Sequence, residues 1–143
     1  MAQITKSRKA ELNSLAETYG LVKGDHFYQD RRGFVIVNRA GIEKIQAHLK
    51  IRVEYEVAHH LCDEVRVVIK ATAQMEDYFV QSFGESSPKN NSNAYPVAMA
   101  EKRALSRAVL KISGMYRVGA YGEDEMKTTE PVTKASNAQK FTI

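Results

Sequence analysis

The feature that most limits how this chain folds is an alternation of apolar and polar residues between positions 51 and 83. It occupies residues 51–57 (IRVEYEV) and 65–73 (VRVVIKATA), and a third run, YFVQSF, follows at 78–83. Successive side chains of a strand point to opposite sides of a sheet, so this pattern predicts three strands with one packed face. The connections LCDE and MED are short, which favours an antiparallel meander.

Three other segments have apolar side chains at the spacing of three and four residues that is typical of helices. They are residues 5–19, 40–49 and 96–113, and the last of them has Pro96 in its first turn and Gly114 just past its end. Both positions suit a helix, because the first turn does not use the donor that proline lacks and glycine readily ends a helix.

Two apolar runs at residues 27–28 and 34–37 flank the sequence QDRRG, which predicts a β-hairpin with glycine in its turn. Together these segments predict an α+β fold, an antiparallel β-meander plus a hairpin with helices packed on one face. We expect one domain at residues 1–122. An acidic and polar flexible tail is expected at 123–143, because that segment has no periodic apolar face.

The charge of the chain favours a polyanionic partner. Its formal net charge is +4 at pH 7, and residues 122–130 (GEDEMKTTE) are acidic, so the part before them is more basic than the total. The single cysteine cannot form an internal disulfide. No apolar run approaches the roughly 18–20 residues of a membrane helix, and the first twenty residues lack the apolar core of a signal peptide. We therefore expect a cytoplasmic protein with no membrane partner.

The last predicted helix carries the principal candidate binding site. At about 100° per residue, Arg103, Arg107 and Lys111 fall within a stripe about 80° wide, opposite an apolar arc that begins at Val97. Stacked like charges repel one another, and an anion laid along the stripe would reverse that cost. The stripe predicts an exposed phosphate-binding surface, with an ordinary solvated helix face as the alternative.

Five further cations are candidates for the same surface. Arg66 and Lys70 share one face of the central predicted strand, Lys89 lies in the loop before the last helix, and Arg31 and Arg32 lie at the tip of the hairpin. Aromatic residues flank that hairpin tip. Cations that follow a backbone, with aromatics nearby for stacking, are typical of sequence-tolerant single-strand binding. The alternatives are a hairpin tip charged for solubility and aromatics that belong to the core.

The order of these elements resembles the single-strand annealing recombinase superfamily, which includes eukaryotic recombination mediators and phage annealing proteins. The stretches that carry the resemblance are VRVVIKATAQM, YFVQSFGESSPKN and AMAEKRALSRAVLKISGM, within about residues 34–125. The run NAYPVAMAEKRA looks particularly like small phage annealing proteins. The resemblance implies a β-β-β-α core, and it implies single-stranded DNA bound in a groove beside the helix. By the same resemblance, Lys102 and Arg103 are implicated in that groove.

Several other kinds of chemistry have weaker support in the sequence. Asp63, Glu64, Glu76 and Asp77 are placed at neighbouring strand ends by the predicted meander, which would suit a metal-dependent nuclease. The cluster at residues 59–63 (HHLCD) is interpreted as a polar turn rather than a metal site, because adjacent histidines on an extended chain point to opposite faces.

The acidic residues 123–125 are interpreted as a solvated run, with competition against phosphate for the basic stripe and binding of a partner as alternatives. A protein-interaction module with a basic face is a further alternative for the whole chain. No phosphate-binding loop, dinucleotide fingerprint or nucleophile elbow is present in the sequence.

The sequence therefore predicts a protein that is not an enzyme and needs neither cofactor nor metal. We expect it to bind single-stranded DNA and to anneal complementary strands without ATP, as an oligomeric ring or filament in phage-type homologous recombination. Its expected partners are single-stranded DNA and further copies of itself. A host or phage single-strand binding protein is a further candidate, and the expected location is the cytoplasm of a bacterial host cell.

Overall fold

The computed structural model of the chain describes residues 5–90 and 95–125. Within them lie three helices and six strands, which confirms the predicted α+β class. The helices are α1 (Lys6–Tyr19), α2 (Arg39–Leu49) and α3 (Pro96–Ile112). The strands are β1 (Phe27–Gln29), β2 (Val35–Val37), β3 (Arg52–Val57), β4 (Val67–Met75), β5 (Tyr78–Ser86) and β6 (Ala120–Gly122). Short 3-10 helices occupy His59–Leu61 and Glu123–Glu125.

The ends of the first two helices are fixed by local hydrogen bonds. The Thr5 hydroxyl accepts from the backbone N–H of Arg8 at the start of α1, and Gly20 ends that helix at a φ of 75°. Asn38 caps α2 by accepting from the N–H of Gly41 at 2.8 Å. These caps set the boundaries because they satisfy backbone groups that a helix terminus leaves without partners.

The predicted meander is confirmed as an antiparallel sheet in the order β3-β4-β5. In the centre of this sheet Ala71 pairs with Tyr55 on one side and with Ser82 on the other. Strand β5 continues to Ser86, three residues beyond the predicted run at 78–83. This extension could not be predicted from the sequence, because glycine and serine, which occupy positions 84, 86 and 87, are typical of loops.

The predicted hairpin belongs to a second sheet, in the order β1-β2-β6. Its first two strands are antiparallel, with Tyr28 opposite Ile36. Strand β6 runs parallel to β2 and was not predicted, since three residues in a segment with two glycines give no detectable alternation. This strand brings the chain that follows it back against α3.

Helix α3 packs closely on β4 and β5 because the residues between them are small. Ala100, Ala104 and Ala108 are fully buried on the helix, and Ala71 and Ala73 are fully buried on β4. The helix backbone approaches the sheet so closely at Gly84 that an added Cβ would overlap the Ala100 oxygen and the Ala104 nitrogen. Glycine is required there for this close approach rather than for an unusual φ angle.

Other elements cover the remaining sides of α3. Buried residues such as Leu105, Ser106 and Leu110 leave little of its middle part exposed. The Tyr19 hydroxyl donates to the Ser113 carbonyl oxygen at 2.6 Å, which ties the end of α1 to the end of α3. Across residues 5–90 and 95–125, no helix has both the length and the apolar character needed to cross a membrane.

Candidate nucleic-acid interface

A dense polar cluster lies where α3 passes the free edge of β5. Only 4% of Arg103 is exposed there. Its Nε donates to the Asp124 carbonyl oxygen at 2.9 Å, and its Nη1 donates to the Glu85 carbonyl oxygen at 2.8 Å. The same Nη1 donates to Asn90 Oδ1 at 3.1 Å, and Nη2 donates to the Asn90 carbonyl oxygen at 2.7 Å. Arg103 thus joins three separate segments of the chain.

Arg107 lies one turn further along the helix and is held by two carboxylates. Glu125 accepts from its Nε at 2.5 Å and from its Nη2 at 2.8 Å, in a bidentate pair. The Nη1 donates to Glu85 Oε1 at 2.8 Å and to the Phe83 carbonyl oxygen at 2.7 Å. We call Arg103, Arg107, Glu85, Asn90, Asp124 and Glu125 the arginine junction.

The charges of the junction change the pKa values of its members. Burial works to raise the pKa of Glu85, but the hydrogen bond and charge of Arg107 outweigh it, so the pKa is lowered. Hydrogen bonds from Arg107 to Glu125 and Glu85 raise the pKa of Arg107 despite its burial. Burial lowers the pKa of Arg103, whose hydrogen-bond partners are mostly neutral carbonyl groups. At neutral pH we therefore expect all these groups to be charged.

Arg103, Arg107 and Lys111 were predicted to form an exposed stripe. For the two arginines this prediction is wrong. The helical wheel placed the first two arginines on one side correctly, but strand β5 and the segment after β6 cover that side. Lys111 is exposed in the last turn, and Val97, predicted to be buried, is 57% exposed. Carboxylates fill the place of the anion that the stripe was expected to attract. The available signal in the sequence was the acidic run at 123–125, for which competition with phosphate for the stripe was one interpretation.

The start of the predicted tail also needs correction. Residues 123–125 form a 3-10 helix that packs against α3, so the folded part continues through Glu125. The Ser106 hydroxyl donates to Asp124 Oδ2 at 2.8 Å, and the Tyr28 hydroxyl donates to Glu123 Oε2 at 3.3 Å. Burial and the charge of Glu123 raise the pKa of Tyr28 to about 12. The remainder of the predicted tail, 126–143, lies outside the described residues.

A second candidate surface is the side of the β3-β4-β5 sheet that faces away from α3. The strand register places Arg52, Gln74 and Phe79 in one row across this side, and Glu56, Lys70 and Phe83 in another. We call this side the open face. Phe79 is 65% exposed and Phe83 is 45% exposed. Phe79 and Phe83 are four positions apart along the strand, about 13 Å at the usual rise, which leaves room for a base on each ring.

The charges on the open face balance. Arg52 is exposed, while Lys70 forms an ion pair with Glu56 at 3.2 Å. Glu54 lies on the same side of β3. Glu85 lies on this side of β5 and is paired with Arg107, so three acidic side chains are balanced by three basic ones. Lys70 was predicted as a binding residue and does lie on the face opposite the buried Ala71. Phe79 and Phe83 were missed, although their alternation with Val80 and Ser82 was visible in the sequence.

A shallow pocket of about 220 Å³ lies at one end of the open face. The row of Glu56, Lys70 and Phe83 lines one part of it, and His59 and His60 line another. The two histidines belong to a 3-10 helix rather than to the extended turn that was predicted. The pocket is therefore a recess beside the ring of Phe83, lined by groups that donate and accept hydrogen bonds.

The other predicted binding residues lie on several elements. Arg66 is in the turn before β4, where its Nη2 is 3.9 Å from Asp63 Oδ2. Arg31 and Arg32 are in the β1–β2 turn, and Arg32 pairs with Asp30 at 2.9 Å and lies 4.8 Å from the centre of the Phe34 ring. Lys102 and Lys89 are exposed, and Lys89 precedes the Asn90 that Arg103 binds. These cations do not form one continuous stripe.

The carboxylates that suggested a nuclease do not converge. Asp63 and Glu64 precede β4, whereas Glu76 and Asp77 follow it, so the nine-residue strand separates the two pairs by about 30 Å. In the described part of the chain, no group of three or more histidine, cysteine, aspartate or glutamate side chains is arranged to hold a metal ion. The predicted placement of these four residues at neighbouring strand ends is therefore wrong.

No protein-family model, curated protein or solved structure matches this chain. The arginine junction and the open face are therefore the basis on which a function can be assigned.

Proposed function

We propose that this chain binds single-stranded DNA and anneals complementary strands without ATP, as an oligomeric ring or filament in phage-type homologous recombination. The observation that carries the proposal is the open face, where the exposed rings of Phe79 and Phe83 share one side of a sheet with Arg52 and Lys70. Aromatic rings stack on bases of any sequence, and cations neutralise the phosphates between them. This combination suits binding that does not depend on sequence.

The two candidate surfaces meet at Phe83, which supports their use as one path for a strand. The ring of Phe83 is on the open face, while its carbonyl oxygen accepts a hydrogen bond from Arg107 at 2.7 Å. A base stacked on this ring would therefore place its backbone near a guanidinium. Arginine is well suited to phosphate because its planar fork of donors matches two phosphate oxygens.

Stacking should contribute more than charge to binding on the open face itself. Arg52 and Lys70 are offset there by Glu54 and Glu56. Glu85 is paired with Arg107, so the surface has no net charge. Stacking of a base on an aromatic side chain is worth about 1–3 kcal/mol by alanine substitution. We therefore expect removal of the rings to weaken binding strongly while the dependence on salt changes little.

The openness of this surface supports annealing rather than protection of the strand. A base lying on a sheet has one face covered, and its Watson–Crick edge stays accessible to a second strand. A protein that encloses bases in a cleft would prevent pairing instead. The free energy of annealing comes from base pairing, so the protein only has to hold and align the strand, and no nucleotide is required.

The order of elements supports the same function. Strands β3, β4 and β5 followed by α3 have the β-β-β-α order of the single-strand annealing recombinase superfamily, which the sequence resembles. A domain of this size offers few contacts to DNA, and repetition along a ring or filament would raise the affinity. The proposed partners are single-stranded DNA, further copies of the chain, and a host or phage single-strand binding protein in the bacterial cytoplasm.

The binding claim is tested with fluorescence anisotropy of labelled oligo-dT, using a Phe79→Ala/Phe83→Ala variant. Removal of each ring should raise Kd by about 5- to 150-fold, which corresponds to about 1–3 kcal/mol. Tyr78→Ala is the matched control, because Tyr78 is 70% exposed at the start of the same strand and its side chain belongs to the opposite face. If the double variant binds as tightly as the control, the open face is not the binding surface.

A further inference from the structure

The binding edge of Arg107 is already occupied by the protein's own chain. Glu125 uses both carboxylate oxygens to accept from Nε and Nη2 of Arg107. These two donors lie on one edge of the guanidinium, which is the edge that binds two oxygens of a phosphate in parallel. The third nitrogen, Nη1, binds the Glu85 carboxylate and the Phe83 carbonyl oxygen. A phosphate can therefore reach this edge only by replacing Glu125.

The charges of the junction also oppose a phosphate. Its two arginines face the carboxylates of Glu85, Asp124 and Glu125, so the cluster has more negative than positive groups. In this arrangement it would repel an additional anion. Without residues 124 and 125, the same place would hold two arginines and one carboxylate, and its charge would favour an anion.

The segment that carries these acids is attached by few contacts. It is a three-residue 3-10 helix directly after β6. Ser106 and Arg107 of α3 bind its side chains, Arg103 binds the Asp124 carbonyl oxygen, and Tyr28 of β1 binds Glu123. All three side chains of Glu123, Asp124 and Glu125 are partly exposed. Partial burial raises the pKa of Glu123, which makes the closed position less favourable at neutral pH. Segments with few buried apolar contacts open at low free-energy cost.

We propose that Asp124 and Glu125 act as an acidic latch, which occupies Arg107 in the free protein and must leave before the arginine junction binds DNA phosphate. This inference rests on the proposed binding of single-stranded DNA. Because the latch is covalently attached, a phosphate competes with a carboxylate at high effective concentration. The phosphates of a DNA strand that is already stacked on Phe83 are also held at high effective concentration. The latch therefore restricts Arg107 to DNA that is bound on the open face. Stray anions would be excluded.

The test compares Glu125→Gln with the wild-type protein in oligo-dT binding over a series of salt concentrations. The variant should bind more tightly at low salt, and the slope of log K against log salt should steepen by about 0.7 for each additional phosphate that the protein neutralises. Glu43→Gln is the matched control, since Glu43 also pairs with an arginine, Arg39, but on the exposed surface of α2. It changes the net charge equally without touching the junction. A thermal melt verifies that both variants are folded.

Hydrogen exchange on the wild-type protein gives a second measurement that needs no variant. On saturation with oligo-dT, backbone amides of residues 123–125 should exchange faster, because the latch has left α3. Equal increases in affinity for Glu125→Gln and Glu43→Gln, or slower exchange at 123–125 in the complex, would overturn the latch and leave the proposed function standing. If neither the wild-type protein nor Glu125→Gln binds oligo-dT, the proposed function itself is wrong, and the latch falls with it.

Discussion

Replacement of Arg103 by alanine tests whether this arginine is a structural residue. In the structure its guanidinium makes four hydrogen bonds of 2.7–3.1 Å to three segments, and it is almost completely buried. Hydrogen bonds that involve a charged group are worth about 1.5–3 kcal/mol each, but they are not additive. Removal of the side chain also lets water reach the acceptors and relieves the cost of burying a charge.

We therefore expect Arg103→Ala to lower the free energy of unfolding by about 2–4 kcal/mol, because four carbonyl oxygens lose their donor and a buried acceptor left unsatisfied costs about 1–3 kcal/mol. For a chain of this length that corresponds to a fall in Tm of about 8–16 °C. Arg103→Lys should be intermediate, since one ammonium group cannot reach all four acceptors. The assay is thermal unfolding followed by circular dichroism.

Lys102→Ala is the control for this experiment. Lys102 precedes Arg103 on the same helix and is exposed, so its loss should change the free energy of unfolding by no more than about 0.5 kcal/mol. If Arg103→Ala melts at the same temperature as Lys102→Ala, the four hydrogen bonds do not hold the loop and the 3-10 helix to α3. Arg103 would then belong to the exposed stripe that the sequence suggested.

Two further predictions concern the same region. Gly84→Ala should lower the free energy of unfolding by about 1–3 kcal/mol or more, because the added methyl group overlaps the backbone of α3. Gly122→Ala, where the added carbon would lie 2.9 Å from the Ser106 side chain rather than against backbone atoms, should cost less in a denaturant titration, and an equal loss would count against the close approach of helix and sheet. Burial works to raise the pKa of Glu85, but Arg107 outweighs it and lowers the pKa below the usual 4.5. The ionised Glu85 therefore contributes fully to stability above pH 4.5, and this contribution is lost as the pH falls through the lowered pKa. Glu85→Gln should flatten the pH dependence of unfolding in that range, and an unchanged profile would remove Glu85 as its cause.

The main elements of the fold could be predicted from the sequence because their patterns are local. Alternation predicted the meander, and the spacing of apolar residues predicted all three helices close to their observed bounds. Strand β6 could not be predicted, since its three residues pair with β2, which is distant in sequence. The continuation of β5 through Gly84 could not be predicted either. Glycine is required there by the close approach of the α3 backbone, which the local composition of β5 does not show.

The site was harder to predict because exposure is a property of the whole fold. The helical wheel gives the direction of Arg103 and Arg107, but it contains no information about β5 or the 3-10 helix that cover them. The alternation in β5 predicted one packed face, but it did not show whether Phe79 and Phe83 or the side chains between them lie on that face. Their exposure depends on which face of the sheet α3 covers.

The measurement that tests the proposed function most directly is the annealing of two complementary labelled oligonucleotides, followed by fluorescence quenching in the absence of nucleotide. We predict that the wild-type protein accelerates pairing and leaves both strands at full length, also when Mg²⁺ is added. The Phe79→Ala/Phe83→Ala variant should lose most of this acceleration, while Tyr78→Ala keeps it. If the wild-type protein slows pairing at every ratio of protein to nucleotide, or shortens either strand, the proposal that the open face anneals single-stranded DNA is wrong.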